Sequence, residues 1–201
     1  MSRRSIWTPA NVVTCVRVVA TFGWLALAEA APLPDGTSIS AWGLAVAFAF
    51  GIIALTDKLD GYLARSRGEV TVFGKFLDPI ADKLVVICAL LVLVQWDLTS
   101  VWVPFIIVTR EFLVSGLRMV LSADGTVVAA SGLGKWKTAT TMGAIAGLLV
   151  ARACPAGACA DALFLVSNFV MAAAVVLTVV SGIDYFMKGK DVLFGGARDE
   201  D

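Results

Sequence analysis

Apolar runs long enough to cross a bilayer, separated by short polar breaks, organise this chain from end to end. A helix needs about 20 predominantly apolar residues to span the hydrocarbon core. Runs of that kind occupy residues 12–31, 41–65, 76–95, 101–120, 137–153 and 162–187. Turn-forming sequences part them: Pro32-Leu33-Pro34-Asp35-Gly36, Gln95-Trp96-Asp97 and Cys154-Pro155-Ala156-Gly157 on one side, Ser66-Arg67-Gly68 and Ala123-Asp124-Gly125 on the other. Residues 5–13 have the length of a short interfacial helix leading into the first run. The tail from Ala197 to Asp201 is polar and is expected to be disordered. The pattern predicts an all-α integral membrane protein, one domain over residues 1–201, with six transmembrane helices around a cytoplasm-facing polar cavity.

Composition agrees. The chain has 201 residues, of which 59% are hydrophobic, and its mean hydropathy is +0.86. A single core of this size cannot hide so much apolar surface from water, so lipid must solvate part of it. The net charge is zero, which argues against nucleic acid as a partner. Histidine is absent, so imidazole metal sites and histidine bases are excluded. The cysteines, Cys15, Cys88, Cys154 and Cys159, form no CxxC metal pattern. Cys154 and Cys159 share one loop, where a disulfide and two free thiols both remain open.

Charge tells the two sides apart. Arg3, Arg4, Arg65, Arg67, Lys75, Arg118, Lys135, Lys188, Lys190 and Arg198 flank one side; Asp35, Asp97, Arg152 and Asp161 lie on the other. Basic residues stay in the cytoplasm, so both termini are expected there, in the cell membrane. Trp7, Trp42, Trp96, Trp102 and Trp136 fall near span ends, where interfacial aromatics belong.

The acids are grouped. Asp57 and Asp60 are three apart, and Asp78 and Asp82 four apart, at the cytoplasmic ends of the second and third runs. Both spacings place a carboxylate pair on one helix face. A single charge at membrane depth costs about 2.5–3.5 kcal/mol, and four close carboxylates stay ionised only around positive charge. Carboxylates without histidine or thiolate select hard cations, Mg²⁺ or Mn²⁺, and two divalent cations held this way suit phosphoryl transfer. Gly61 shares the face of Asp57 and Ala64 that of Asp60. Gly74 precedes the third run, where a tight turn or close approach is expected. These small residues would let a ligand approach the backbone.

Together the string reads D-x₂-D-G-x₂-A-R-x₈-G-x₃-D-x₃-D, carried by Asp57, Asp60, Gly61, Ala64, Arg65, Gly74, Asp78 and Asp82. It resembles, without a departure, the signature of the CDP-alcohol phosphotransferase family. The resemblance implies six helices around a cytoplasmic polar cavity, a homodimer, and attack of an alcohol on a CDP-linked lipid such as CDP-diacylglycerol. It further implies that Asp57, Asp60, Asp78 and Asp82 surround the two metals and that Asp82 is the general base. Thr56, Gly61, Ala64, Arg65 and Gly74 would form the CDP pocket.

A second charge set points to the acceptor. Arg110 and Glu111 lie inside the fourth run, Arg118 two turns on from Arg110, and Lys135 and Lys137 at the start of the fifth. Cations with no obvious acidic partner, close to a metal site, suit a bound phosphate; Glu111 is placed to orient one of the arginines. The stretches 108–118 and 129–138 resemble the family branch that uses glycerol 3-phosphate, with Arg110, Arg118, Lys135 and Lys137 as phosphate contacts. Residues 8–17 are also similar, though Ala10 stands where that branch more often has another residue. Asn11, Thr14 and Arg17 are expected to border the metal and nucleotide site. Transfer to inositol phosphate, serine or a lipid alcohol is the nearest alternative. Cation or proton transport is a more distant one, because a transporter would spread its acids across the membrane depth.

Overall fold

The computed structural model describes residues 8–67, 72–123 and 132–195; among these, the side chains of 9, 10, 57–67, 72, 75, 76, 78, 123 and 191–195 lie outside the description. The described residues form six α-helices and no strand. They are α1 (Pro9–Ala30), α2 (Ala41–Arg67), α3 (Val72–Gln95), α4 (Trp102–Ala123), α5 (Gly132–Ala153) and α6 (Ala158–Gly195).

Each helix coincides with one expected run, and the ends differ for physical reasons. α1 starts at Pro9 because Thr8 is its N-cap: the Asn11 amide donates to Thr8 Oγ1 at 3.3 Å, and proline at the first position has no amide to leave orphaned. Residues 9–13 are therefore the opening turns of α1, not a separate approach helix. α3 begins at Val72 and runs through Pro79. Gly74 is thus buried inside the first turns of a helix instead of sitting at a turn before it. α5 and α6 are longer than their apolar runs, because backbone hydrogen bonding continues past the point where side chains turn polar.

The α1–α2, α3–α4 and α5–α6 connections meet at one end of the bundle. There the Ser40 amide donates to the Ala153 carbonyl and the Ala156 amide to the Gly36 carbonyl, each at 2.8 Å. Gln95 Nε2 donates to Glu29 Oε2 at 3.3 Å. The Arg152 guanidinium stacks 3.6 Å above the Trp96 ring, so Trp96 holds α3 to α5 as well as marking a helix end. In the first loop the Thr37 and Ser38 amides hold the Asp35 carboxyl below the usual carboxylate range. Trp42, Trp102 and Trp136 are exposed near helix starts, as expected; Trp7 is outside the described residues. Cys154 and Cys159 are both free thiols.

The packing is set by inward apolar faces. α6 lies along α5 and α4, α1 along α2 and α3, and α2 against α5. Trp24 is buried among them; its Nε1 donates to the Val46 carbonyl at 2.9 Å, which satisfies the one polar atom it brings into the core. Leu90, Leu93, Ile145, Leu148 and Met171 complete the same cluster. The outward faces are apolar too: Val19, Phe22, Phe48, Phe105, Phe112, Met119, Leu165 and Phe169 are all exposed. Two helices, over Asn11–Ala30 and Ala158–Lys190, are long and apolar enough to cross a membrane by themselves.

Close contact between α2 and α5 depends on Gly43. A methyl group there would stand 2.8 Å from the Ala153 Cβ and 3.0 Å from its Cα, and backbone cannot swing aside as a side chain can. Gly43→Ala is expected to destabilise the protein by about 1–3 kcal/mol, read as a lowered thermal unfolding midpoint in detergent.

Candidate active site

The polar residues of α1 follow a helical spacing. Asn11, Thr14, Arg17 and Thr21 succeed one another at intervals of three or four, and all are buried. From this face Arg17 reaches across to α3 and donates to Asp82 in a salt bridge, the arginine side chain 2% exposed and the aspartate 44%. The Thr21 hydroxyl donates back to the Arg17 carbonyl at 2.8 Å. Asp82 is thereby held on its α1 side while staying open toward the cavity.

That cavity, about 410 Å³, lies between α3, α4 and α5. Asp82 and Lys83 enter it from α3, Arg110, Glu111, Ser115 and Arg118 from α4, and Lys137 from α5. The sequence places the α4 set together because 111, 115 and 118 succeed one another at helical intervals beside 110. Among the described residues four cations face two carboxylates here, so this part of the lining favours an anion. Lys83 donates to the Ser115 hydroxyl, a neutral partner.

A second cavity of about 890 Å³ shares Arg110, Glu111, Arg118 and Lys137 with the first. It adds Lys135 and Tyr185, and on the α2 side Phe50, Gly51, Ala54 and Leu55. One set of cations therefore serves a chamber beside Asp82 and a larger chamber that reaches α2.

Glu111 corrects the sequence expectation that these cations lack an acidic partner. Lys137 donates to it, and so does Arg110 Nη1 at 3.2 Å. Lys137 is only 7% exposed, and a buried ammonium needs such a counter-ion. Arg118 donates to the Tyr185 hydroxyl.

Of the expected site residues, the structure joins Asp82, Arg110, Arg118 and Lys137 around the first cavity. Lys135 is exposed and lines the second. Asn11 and Thr14 share the buried face of Arg17. The Thr56 hydroxyl donates to the Ile53 carbonyl of its own helix at 2.6 Å. Asp57, Asp60, Gly61, Ala64 and Arg65 fall on α2 and Asp78 on α3, one turn before Asp82; their side chains lie outside the described set. Among the described residues no three metal-ligating side chains cluster. The donors themselves fit hard divalent cations: four carboxylates, in a chain without histidine.

Sequence reasoning missed Lys83, Ser115, Ser181 and Tyr185. Lys83 carried a legible signal, since it directly follows Asp82. Ser181 and Tyr185 lie in an apolar run, where nothing distinguishes them from packing residues.

Comparison with known proteins identifies the family. The family model for CDP-alcohol phosphatidyltransferase matches residues 7–180. The chain belongs to the CDP-alcohol phosphatidyltransferase family. It is 46% identical over 156 residues to a Bacillus subtilis CDP-diacylglycerol–glycerol-3-phosphate 3-phosphatidyltransferase, covering 78% of this chain and 79% of that one. A Mycobacterium tuberculosis protein named as a probable phosphatidylglycerophosphate synthase is 35% identical over 198 residues, 98% of this chain and 88% of its own. A Rickettsia bellii CDP-diacylglycerol–glycerol-3-phosphate 3-phosphatidyltransferase is 39% identical over 140 residues, 70% of this chain and 76% of that one. Like these relatives, this chain is a transferase of phospholipid synthesis.

Removing Glu111 would leave Arg110 and Lys137 without their carboxylate. Glu111→Leu is expected to destabilise the fold by about 3 kcal/mol. The double variant Glu111→Leu, Lys137→Met should recover part of that loss, a coupling that a double-mutant cycle of unfolding midpoints measures.

Proposed function

We propose that this protein transfers the phosphatidyl group of CDP-diacylglycerol to glycerol 3-phosphate, giving phosphatidylglycerol phosphate and CMP. The observation that carries the proposal is the meeting of Asp82 with Arg110, Arg118 and Lys137 around one cavity of about 410 Å³. A base and a phosphate-binding cluster in one chamber can hold an acceptor by its phosphate while its hydroxyl faces the carboxylate.

Each residue has a part. Arg110, Arg118, Lys135 and Lys137 hold the acceptor phosphate, with charge-assisted hydrogen bonds that a neutral alcohol cannot match. Asp82 takes the proton of the attacking hydroxyl, which it must reach within hydrogen-bond distance. Arg17 fixes the orientation of that carboxylate from the α1 side. Asp57, Asp60, Asp78 and Asp82 are the residues to hold two divalent cations, Mg²⁺ or Mn²⁺. Bound there, the cations would supply charge neutralisation on the pyrophosphate and on departing CMP. Asn11, Thr14, Thr56, Gly61, Ala64, Arg65 and Gly74 form the CDP side.

The setting belongs to the same proposal: one domain with six membrane-crossing helices in the cell membrane, both termini and the site in the cytoplasm, assembled as a homodimer. The exposed apolar faces of the helices support it, since so much contiguous apolar surface is not left to water. So does the gathering of three connections at one end, which puts the basic flanks at the other.

The test is CMP release by purified protein with CDP-diacylglycerol and Mg²⁺, comparing glycerol 3-phosphate, inositol phosphate and serine. Release with glycerol 3-phosphate alone is expected; release only with another acceptor would overturn the acceptor assignment. Asp82→Asn should lower turnover about 10²–10⁴-fold, the range of a lost general base. Asp78→Asn should abolish turnover in protein that remains folded and membrane-inserted, and chelation of divalent cations should do the same. Lys135→Ala should raise the requirement for glycerol 3-phosphate more than that for CDP-diacylglycerol. An equal effect on both would remove Lys135 from the acceptor site.

A further inference from the structure

The two arginines of α4 do not hold their positions alone. Arg110 and Arg118 stand eight residues apart, about two helical turns, and point to the same side of α4. The helix packed against that side is α6. Three of its residues, Ser181, Gly182 and Tyr185, meet the arginines one by one.

Arg110 Nη2 donates to Ser181 Oγ at 3.0 Å. Its side-chain stem lies over Gly182: a methyl group there would stand 3.2 Å from Arg110 Cγ and 4.0 Å from Nε. Its guanidinium carbon is 5.7 Å from the centre of the Tyr185 ring. Arg118 is 4.8 Å from the same ring centre and donates to its hydroxyl. Tyr185 is 1% exposed. A fully buried phenol with a cation over its ring and a second cation on both ring and hydroxyl is an unusual use of an aromatic, because packing alone would be met by phenylalanine or leucine.

We infer that Ser181, Gly182 and Tyr185 of α6 are positioning residues for the acceptor phosphate, acting through Arg110 and Arg118. This rests on the acceptor-site reading of those arginines. An arginine has several rotatable bonds, and fixing it on binding costs side-chain entropy. Two arginines already ordered by one tyrosine avoid most of that cost and present their remaining N–H groups at a fixed separation. Ser181 and Tyr185 serve the arginines without competing for the phosphate: a neutral hydroxyl orients a guanidinium and leaves its charge for the ligand, whereas an acid in the same place would neutralise it. Gly182 supplies the space in which the Arg110 stem lies. The α6 face thus contributes to the choice of a phosphorylated acceptor without touching it.

The experiment measures kcat and KM for glycerol 3-phosphate and for CDP-diacylglycerol with the full-length purified protein. The variants are Arg118→Ala, Tyr185→Phe, Ser181→Ala and Gly182→Ala, each with its unfolding midpoint. Tyr185→Phe keeps the ring and loses only the hydroxyl. It is expected to raise KM for glycerol 3-phosphate about tenfold and to leave that for CDP-diacylglycerol within about twofold, the scale of one hydrogen bond to a charged group. Ser181→Ala and Gly182→Ala should shift the same constant in the same direction. Calorimetric titration with glycerol 3-phosphate should show the same loss of affinity without turnover. If Arg118→Ala raises the glycerol 3-phosphate KM while Tyr185→Phe and Ser181→Ala do not, the α6 assignment is overturned and the acceptor site stands. If the α6 variants lower the unfolding midpoint with both KM values unchanged, their role is structural and the inference is wrong. If Arg118→Ala itself leaves both KM values unchanged, the acceptor site falls and the inference with it.

Discussion

The arrangement depends on one constraint: cations placed among apolar helices must find an anion, and Glu111 is the anion two of them find. Arg110 and Lys137 come from different helices and share its carboxylate. Without it α4 and α5 would present two bare positive charges to each other across the cavity. Glu111 satisfies them only in part, since one carboxylate answers two cations while Lys83 and Arg118 rest on neutral hydroxyls. The excess of positive charge among the described lining residues is what favours an anion there.

The same constraint shows in how the helices divide by face. α3, α4 and α5 carry Asp82, Lys83, Arg110, Glu111, Arg118 and Lys137 inward. On α4 the division by face is plain. Phe105, Phe112 and Met119, seven residues apart, are exposed, while Glu111, Ser115 and Arg118 line the cavity. A helix of this kind has an apolar exposed surface and a charged interior surface, so its average hydropathy understates how apolar its outside is.

Much of this was legible in the sequence because charge inside an apolar run is rare and has few explanations. The order and number of the helices followed from run length. Arg110 and Arg118 could be paired by their spacing, and Asp82 was marked by its motif. Two features could not be read in the same way. The partnership of Arg17 with Asp82 joins residues 65 positions apart, and no spacing rule reaches across two helices. Glu111 stood beside Arg110 in sequence, yet its main partner proved to be Lys137 on α5, so its role as a shared counter-ion needed the fold.

α6 shows the deeper reason for the gap. Its apolar run, residues 162–187, reads as one continuous span, and Ser181, Gly182 and Tyr185 have the composition of ordinary helix packing. Their importance comes only from what lies opposite: a hydroxyl, a missing methyl and an aromatic ring matter here because two arginines face them. α1 plays a comparable part on the other flank, where Arg17 steadies Asp82. α1 and α6 thus bracket the charged helices, α1 holding Asp82 through Arg17 and α6 holding Arg110 and Arg118. Charge marks the residues that line the cavity, but where they stand is set in part by uncharged neighbours.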